Sequence, residues 1–450
     1  MKVCCNKQVY KINSVRVLKY IAVQLKNNAV KNIMGPTIIL DKSSLQSLSQ
    51  DEIHFLHKYY LVNIPPILIM EVLADLKKES SDQRNSQQIV AQLSKKLLNN
   101  DSALNVYYGD LIINELLGKP VNMSGRTIIQ EGEFYKEGDK KGMTFEMSPE
   151  EKAMNNWKQE KFTEAEKELA TRWRFYSESL SPDKFKKENK EFTAFLQNYK
   201  TLEELDTLIN NIILNEKLQS ILLVNIINEF RISPELATQI FFLWESRNKP
   251  LLVNSYPYSV YCMHTLLLYY YGTLKSLFGR ATDKLDLEYT YYLPFTDIFS
   301  SDDKFIKRLI PFVKDEEKSF VTGKELKADF TQIVSEWKVL SVEDKIKWHK
   351  KNGNEPFEIT PLTVILRKKH WPNWSPGFSH QTKVPPLTVD ELNAKRGIRI
   401  KGNPTAKDIE DFEKGDIDFL EIVGEISIND PCPCGSGVPY KECHYKKGTA

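Results

Sequence analysis

Apolar and polar positions follow two spacings along this chain. Most of the apolar residues recur at helical intervals, whereas two short runs are mainly apolar and rich in strand-favouring residues. The first run is "PTIIL" (36–40), which ends on Asp41. The second is "FTDIF" (295–299), closed by "SSDD" (300–303). A short apolar run bounded by turn-forming residues predicts a strand buried in a sheet. Helices are expected elsewhere. A mixed segment spans 8–35. Ser49 and Glu52 form a capping-box signature that starts the next helix. Pro65 and Pro66 open another, which runs through Glu71 to Lys78. Residues 83–117 read as helical up to Gly118. Ser148, Pro149 and Glu151 start a densely charged helix. Apolar helices follow over 201–230, 233–247 and 257–278. Asp286 begins one more, with Tyr289 and Thr290 a turn later. "DKFIKRLIPFV" (303–313) and 322–352 complete the set. Residues 118–142, rich in Gly and charge, predict an exposed loop, and 353–430 predict an irregular arm.

Composition narrows the class. At 450 residues the chain exceeds one average core. Hydrophobic residues at 41% and charged residues at 27% describe a globular protein in water, and no apolar run reaches the length of a membrane span. The first twenty residues lack the apolar stretch of a secretory signal, which points to the cytoplasm and to reduced cysteines. A net charge of +2 argues neither for nor against nucleic acid. The sequence contains no HExxH, GxxxxGK[ST] or GxSxG, which excludes the common zinc hydrolases, P-loop ATPases and α/β hydrolases. Carboxylates remain as the chemistry-bearing groups.

Four acids stand at telling places: Asp41 after the first strand, Glu71 on the helix after the two prolines, Asp286 at a helix start and Asp303 after the second strand. Acids at the ends of buried segments cost desolvation unless something pairs with them. A salt bridge, a helix N-terminus or a metal ion would serve. Taken singly, Asp41 and Asp303 read as helix caps, Glu71 as a lysine's partner and Asp286 as a first-turn acid. Taken together, converging carboxylates suit hard divalent cations such as Mg²⁺ or Mn²⁺. Such ions activate water and stabilise a leaving oxygen in phosphodiester cleavage. Glu288, Asp302, Asp110 and Glu115 are alternative acids.

The order of these pieces resembles the PIN-domain nucleases. "IILDKSS" carries Asp41 and Ser43, "IPPILIMEVLADL" carries Glu71, and Asp286 precedes a strand and the turn "SDDK", Ser301 to Lys304. The resemblance covers about 37–80 and 280–312. More than two hundred residues separate Glu71 from Asp286, where family members have far fewer, and Lys42 stands where a small residue is usual. It implies an α/β fold with a PIN-like parallel sheet core and a large all-helical insertion. It also implies Mg or Mn at Asp41, Glu71, Asp286 and Asp303, substrate contacts from Ser43, Ser301 and Lys304, and single-stranded RNA as substrate. The expected organisation is an N-terminal helical segment (1–36), the first part of the core (37–117), the insertion (118–280), the second part (281–320), a helical and irregular arm (321–429) and a terminal zinc motif (430–450). The rival expectation is a non-enzymatic adaptor on a degenerate scaffold of the same kind.

The last segment has its own chemistry. "DPCPCGSGVPYKECH" presents Cys432, Cys434, Cys443 and His444. Three thiolates and an imidazole make a closed tetrahedral zinc set, which is structural rather than catalytic. The stretch is similar to the SEC-C motif, an appendage of many bacterial proteins, which implies Zn and docking to a protein or ribosome-associated partner. Cys4 and Cys5 fit no metal spacing, and Cys262 reads as a core residue. Trp371, Trp374 and Phe378 beside Lys368, Lys369 and His370 can stack bases or clamp the arm to the core; the clamp is the reading taken.

Overall fold

The computed structural model describes residues 36–77, 85–97, 102–129, 133–137, 140–144, 147–341, 344–345 and 361–371. Seven strands are found among them: β1 (Thr37–Leu40), β2 (Leu61–Ile64), β3 (Ser102–Leu104), β4 (Glu133–Glu137), β5 (Lys140–Thr144), β6 (Ile298–Ser300) and β7 (Ser319–Val321). Five make one parallel sheet in the order β3-β2-β1-β6-β7, and β4 and β5 form a separate antiparallel hairpin. Ile38 is the register point of the sheet, opposite Val62 on one side and Ile298 on the other. Every residue of β1 is buried, as expected of a parallel strand covered on both faces.

The helices that matter first are α1 (Lys42–Ser47), α2 (Gln50–Tyr59), α3 (Pro66–Ala74), α4 (Ser86–Lys96) and α5 (Tyr108–Leu116). Ser49 caps α2 in the reciprocal box with Glu52, and Pro66 opens α3 where its missing N–H costs nothing. Eight helices then fill 149–255: α6 (Pro149–Trp157), α7 (Glu164–Ser179), α8 (Pro182–Glu188), α9 (Lys190–Phe195), α10 (Leu202–Leu214), α11 (Gln219–Glu229), α12 (Pro234–Ser246) and α13 (Leu252–Ser255). The buried α14 (Pro257–Leu274) follows, then α15 (Asp283–Thr290), α16 (Lys304–Val313), α17 (Gly323–Val339) and α18 (Pro361–His370). No helix among the described residues is long and apolar enough to cross a membrane.

One core joins these parts. Ile38 and Ile298 of the sheet belong to the same buried cluster as Ile209 of α10 and Leu268 of α14. Each such side chain contributes about 1.5–3 kcal/mol by leaving water. Cys262 lies wholly inside α14's packing, as its apolar neighbours suggest.

Several sequence expectations change. The helix expected over 83–117 is α4, then the edge strand β3, then α5. β2 was hidden because "LVNI" runs directly into the apolar start of α3. The segment read as a loop contains the β4–β5 hairpin, so the insertion is not all helical. "FTDIF" pairs only from Ile298, because Pro294 places Leu293–Phe295 in a 3₁₀ turn. Within the expected irregular arm, 361–370 is the helix α18. It clamps to the core: His370 Nε2 lies 2.9 Å from Ser319 Oγ of the edge strand, and the Arg367 guanidinium sits 5.7 Å from the ring centroid of Tyr59 on α2. Residues 8–35, Trp374, Phe378 and the C-terminal cysteines lie outside the described residues.

The winding direction reverses at β1. From there β2 and β3 step outward on one side, while β6 and β7, reached only after the insertion, lie on the other. The crevice beyond the carboxyl ends of β1 and β6 is where open α/β sheets place their ligands.

Candidate functional site

The chain leaves β1 at Leu40 and turns at once into α1, so Asp41 becomes its N-cap. Asp41 Oδ1 accepts from Ser44 N at 2.7 Å, and Ser43 Oγ lies 2.9 Å from both carboxylate oxygens. β6 ends the same way. Asp303 caps α16, with Oδ1 accepting from Phe305 N at 2.7 Å. Ser301 ties the two turns together. Its hydroxyl donates to Asp41 Oδ2 at 2.6 Å and accepts from Asp303 N at 3.0 Å. Asp302 lies against a third helix start, that of α17. A Cβ on Gly323 would sit 2.8 Å from Asp302 Oδ2 and 2.7 Å from Ser44 Oγ, so only glycine permits this approach. Three helix N-termini therefore face one crevice, and their partial positive charge favours anionic groups there.

Two more acids enter from the sides. Glu71, on the second turn of α3, takes a short hydrogen bond from the Tyr289 hydroxyl. Lys42 lies beside it and its charge favours the Glu71 carboxylate. Its ammonium is held by Asp75 Oδ1 at 2.6 Å and by the Glu71 carbonyl at 2.9 Å. Asp286 lies in the first turn of α15, one turn before Tyr289. Asp41, Lys42, Ser43, Gln46, Glu71, Asp286, Tyr289, Asp302 and Asp303 line one cleft of about 360 Å³. Arg280, just before α15, reaches the same acids. Its Nη2 lies 3.1 Å from Asp286 Oδ2 and 2.6 Å from Asp303 Oδ2.

Burial governs the charge state. It raises the Asp41 carboxyl above its ordinary value, against the opposing hydrogen bonds from Ser301, Ser44 and Ser43. Burial also raises Glu71, with Tyr289 and Lys42 opposing and Asp41 adding repulsion. Asp286 is pushed up to about 8, first by burial, then by the charges of Glu71 and Asp303, with Arg280 opposing. Acids raised by like charge are those a cation would favour in ionised form.

The donor set is all oxygen, which suits a hard divalent cation rather than zinc. Among the described residues, however, no three acidic, imidazole or thiol side chains are gathered as a finished metal cage. The hydrogen bonds give the reason: Asp41 is held by serines, Glu71 by a tyrosine, and Asp286 and Asp303 by a guanidinium.

The four acids singled out in the sequence are thus brought to one cleft, and Asp302 joins them. Ser43 lines it as well. Ser301 was expected to contact substrate, but it is 0% exposed and its hydroxyl holds Asp41. Lys304, in the first turn of α16, is exposed and is not among the cleft's lining residues. Glu288 lies off the cleft, raised to about 7 mainly by burial. Asp110 is exposed on α5. Glu115 is 1% exposed and caps α14, accepting from Tyr258 N at 3.0 Å, Ser259 N at 2.7 Å and Ser259 Oγ at 2.7 Å. Sequence reasoning missed Arg280 and the pairing of Tyr289 with Glu71. "GRATDKLDLE" carries the signal, an arginine placed three and six residues before two acids.

Residues 429–446 match the family model of the SEC-C motif. No curated protein and no solved structure matches the chain.

Proposed function

We propose that the acidic cleft is the active site of a divalent-metal-dependent nuclease of PIN type acting on single-stranded RNA. One observation carries this reading. Four carboxylates from distant parts of the sequence line one cleft at the point where the sheet reverses its winding. Asp41, Glu71, Asp286 and Asp303 would hold Mg²⁺ or Mn²⁺. The bound ion would supply an activated water and charge stabilisation for the leaving oxygen. Within the protein, Ser43 and Ser301 orient Asp41, and Tyr289 orients Glu71. RNA as substrate rests on the resemblance to PIN-domain nucleases.

The C-terminal motif is read as a separate structural element. Cys432, Cys434, Cys443 and His444 would bind one Zn²⁺ with no open position, leaving catalysis to the cleft. It suits docking to a protein or ribosome-associated partner in the cytoplasm.

The test is cleavage of single-stranded RNA by full-length protein with Mg²⁺ or Mn²⁺. Activity should survive deletion of residues after 429 and fall by orders of magnitude in Asp41→Asn. If wild type and Asp41→Asn behave alike on RNA and DNA with both ions, the enzyme reading is wrong. The adaptor reading then stands. It is favoured by apolar side chains exposed on the insertion, Leu214 at 58%, Ile221 at 57% and Phe242 at 71%.

A further inference from the structure

Arg280 is built into the cleft in two halves. Its Nε donates to Asp283 Oδ1 at 2.8 Å. Asp283 is 3% exposed, and its other oxygen accepts the backbone N–H of Gly279 at 3.1 Å and of Arg280 at 3.0 Å. That end is a fixed post. The far end, Nη2, reaches out to Asp286 and Asp303. The guanidinium is about half exposed, whereas Asp286 and Asp303 are 22% and 17% exposed, so it covers them from the solvent side.

We infer that Arg280 is a tethered counter-ion: it holds the Asp286 and Asp303 side chains while no divalent ion is bound, and on metal binding its Nη2 end transfers to a phosphate of the nucleic acid while Nε stays on Asp283. This rests on the metal-dependent reading above. A divalent ion outcompetes a single guanidinium charge for the two carboxylates, because it carries twice the charge and approaches closer. Once the ion is seated, it repels the nearby guanidinium. The freed end stays at the mouth of the cleft because Asp283 holds it there. A planar guanidinium suits a phosphodiester. The substrate thus receives its positive contact only after the metal has entered.

The experiment uses full-length wild type, Arg280→Gln and Arg280→Lys, each checked for folding by circular dichroism. Mn²⁺ affinity is measured by calorimetry. Binding of a non-cleavable 2′-O-methyl oligouridine is measured by fluorescence anisotropy with Mn²⁺ present. Arg280→Gln should bind Mn²⁺ about three- to thirtyfold more tightly, from the loss of two partly exposed contacts that compete with the metal and of the guanidinium's repulsion. It should bind the oligonucleotide more weakly, with a salt slope shallower by about 0.7. Arg280→Lys, which cannot bridge Asp283 and both acids at once, should bind Mn²⁺ with intermediate affinity. Should wild type bind Mn²⁺ and either variant match it or bind less tightly, the tethered counter-ion is refuted and the nuclease reading stands. An unchanged oligonucleotide affinity and salt slope in Arg280→Gln would refute the transfer to phosphate. If no protein binds Mn²⁺, both readings fall.

Discussion

Replacing Asp286 by asparagine should stabilise the metal-free protein and destroy its response to Mn²⁺. A carboxyl that holds its proton up to about 8, against an ordinary 3.8, is one the fold disfavours in charged form. The sign follows directly. Below pH 4 the group is protonated in both folded and unfolded chains and costs nothing. As pH rises from 4 toward 8 the unfolded chain gains from ionisation and the folded chain does not, so stability falls across that window. At pH 8 the ceiling is about 5–6 kcal/mol, and side-chain relaxation and solvent near the cleft mouth reduce it to about 1–3 kcal/mol. The amide resembles the protonated acid at every pH. Asp286→Asn should therefore match wild type near pH 4 and exceed it by about 1–3 kcal/mol at pH 8 in urea titrations with EDTA. Saturating Mn²⁺ should reverse the order, because at a thousandfold excess over Kd it adds about 4.1 kcal/mol to the wild type alone. A variant less stable than wild type at pH 8 in EDTA, or equal stabilisation of both proteins by Mn²⁺, would refute this account of the cleft.

Ser301→Ala removes the donor to Asp41 Oδ2 and should cost about 1–2 kcal/mol in urea titrations. It also raises the Asp41 carboxyl further, so the deficit in Mn²⁺ binding by calorimetry should widen as the pH is lowered. Glu115→Ala leaves two backbone donors at the start of α14 without their partner and should cost about 2–4 kcal/mol, with Mn²⁺ affinity unchanged. Elemental analysis of metal-replete protein should find about one Zn²⁺ per chain, and a chelator should remove it without shifting the main thermal transition.

Three of the acids were legible in the sequence because each follows a strong local signal. Asp41 and Asp303 close apolar runs and open helices, and Glu71 follows two prolines. The strands β2, β3 and β7 were not legible. Each has only three or four residues, β2 merges with the apolar start of α3, and β7 follows a charged turn at 314–318. Such strands exist because a parallel neighbour pairs with them, and that neighbour lies on the far side of an intervening helix, outside any local window of the sequence. Arg280 was illegible for a related reason. Its bond to Asp283 is local, but the one to Asp303 depends on how α15 and α16 pack.

The pairing of β1 with β6 also sets a timetable. Ser301 and Asp41, whose hydrogen bond closes the turn, are 260 residues apart. At about 5–20 residues per second, a ribosome needs roughly 10–50 s to make that span. During this interval β1 has β2 beside it, with β3 beyond, but an open edge on its other side. Closing so long a loop carries an entropic cost that helices packing between the two strands can lower by drawing the ends together. The central strand therefore waits for its second partner, and the cleft cannot assemble until about two-thirds of the chain has emerged. A polypeptide cut short before Ser301 would carry Asp41, Glu71 and Asp286 but neither Ser301 nor Asp303, and no site.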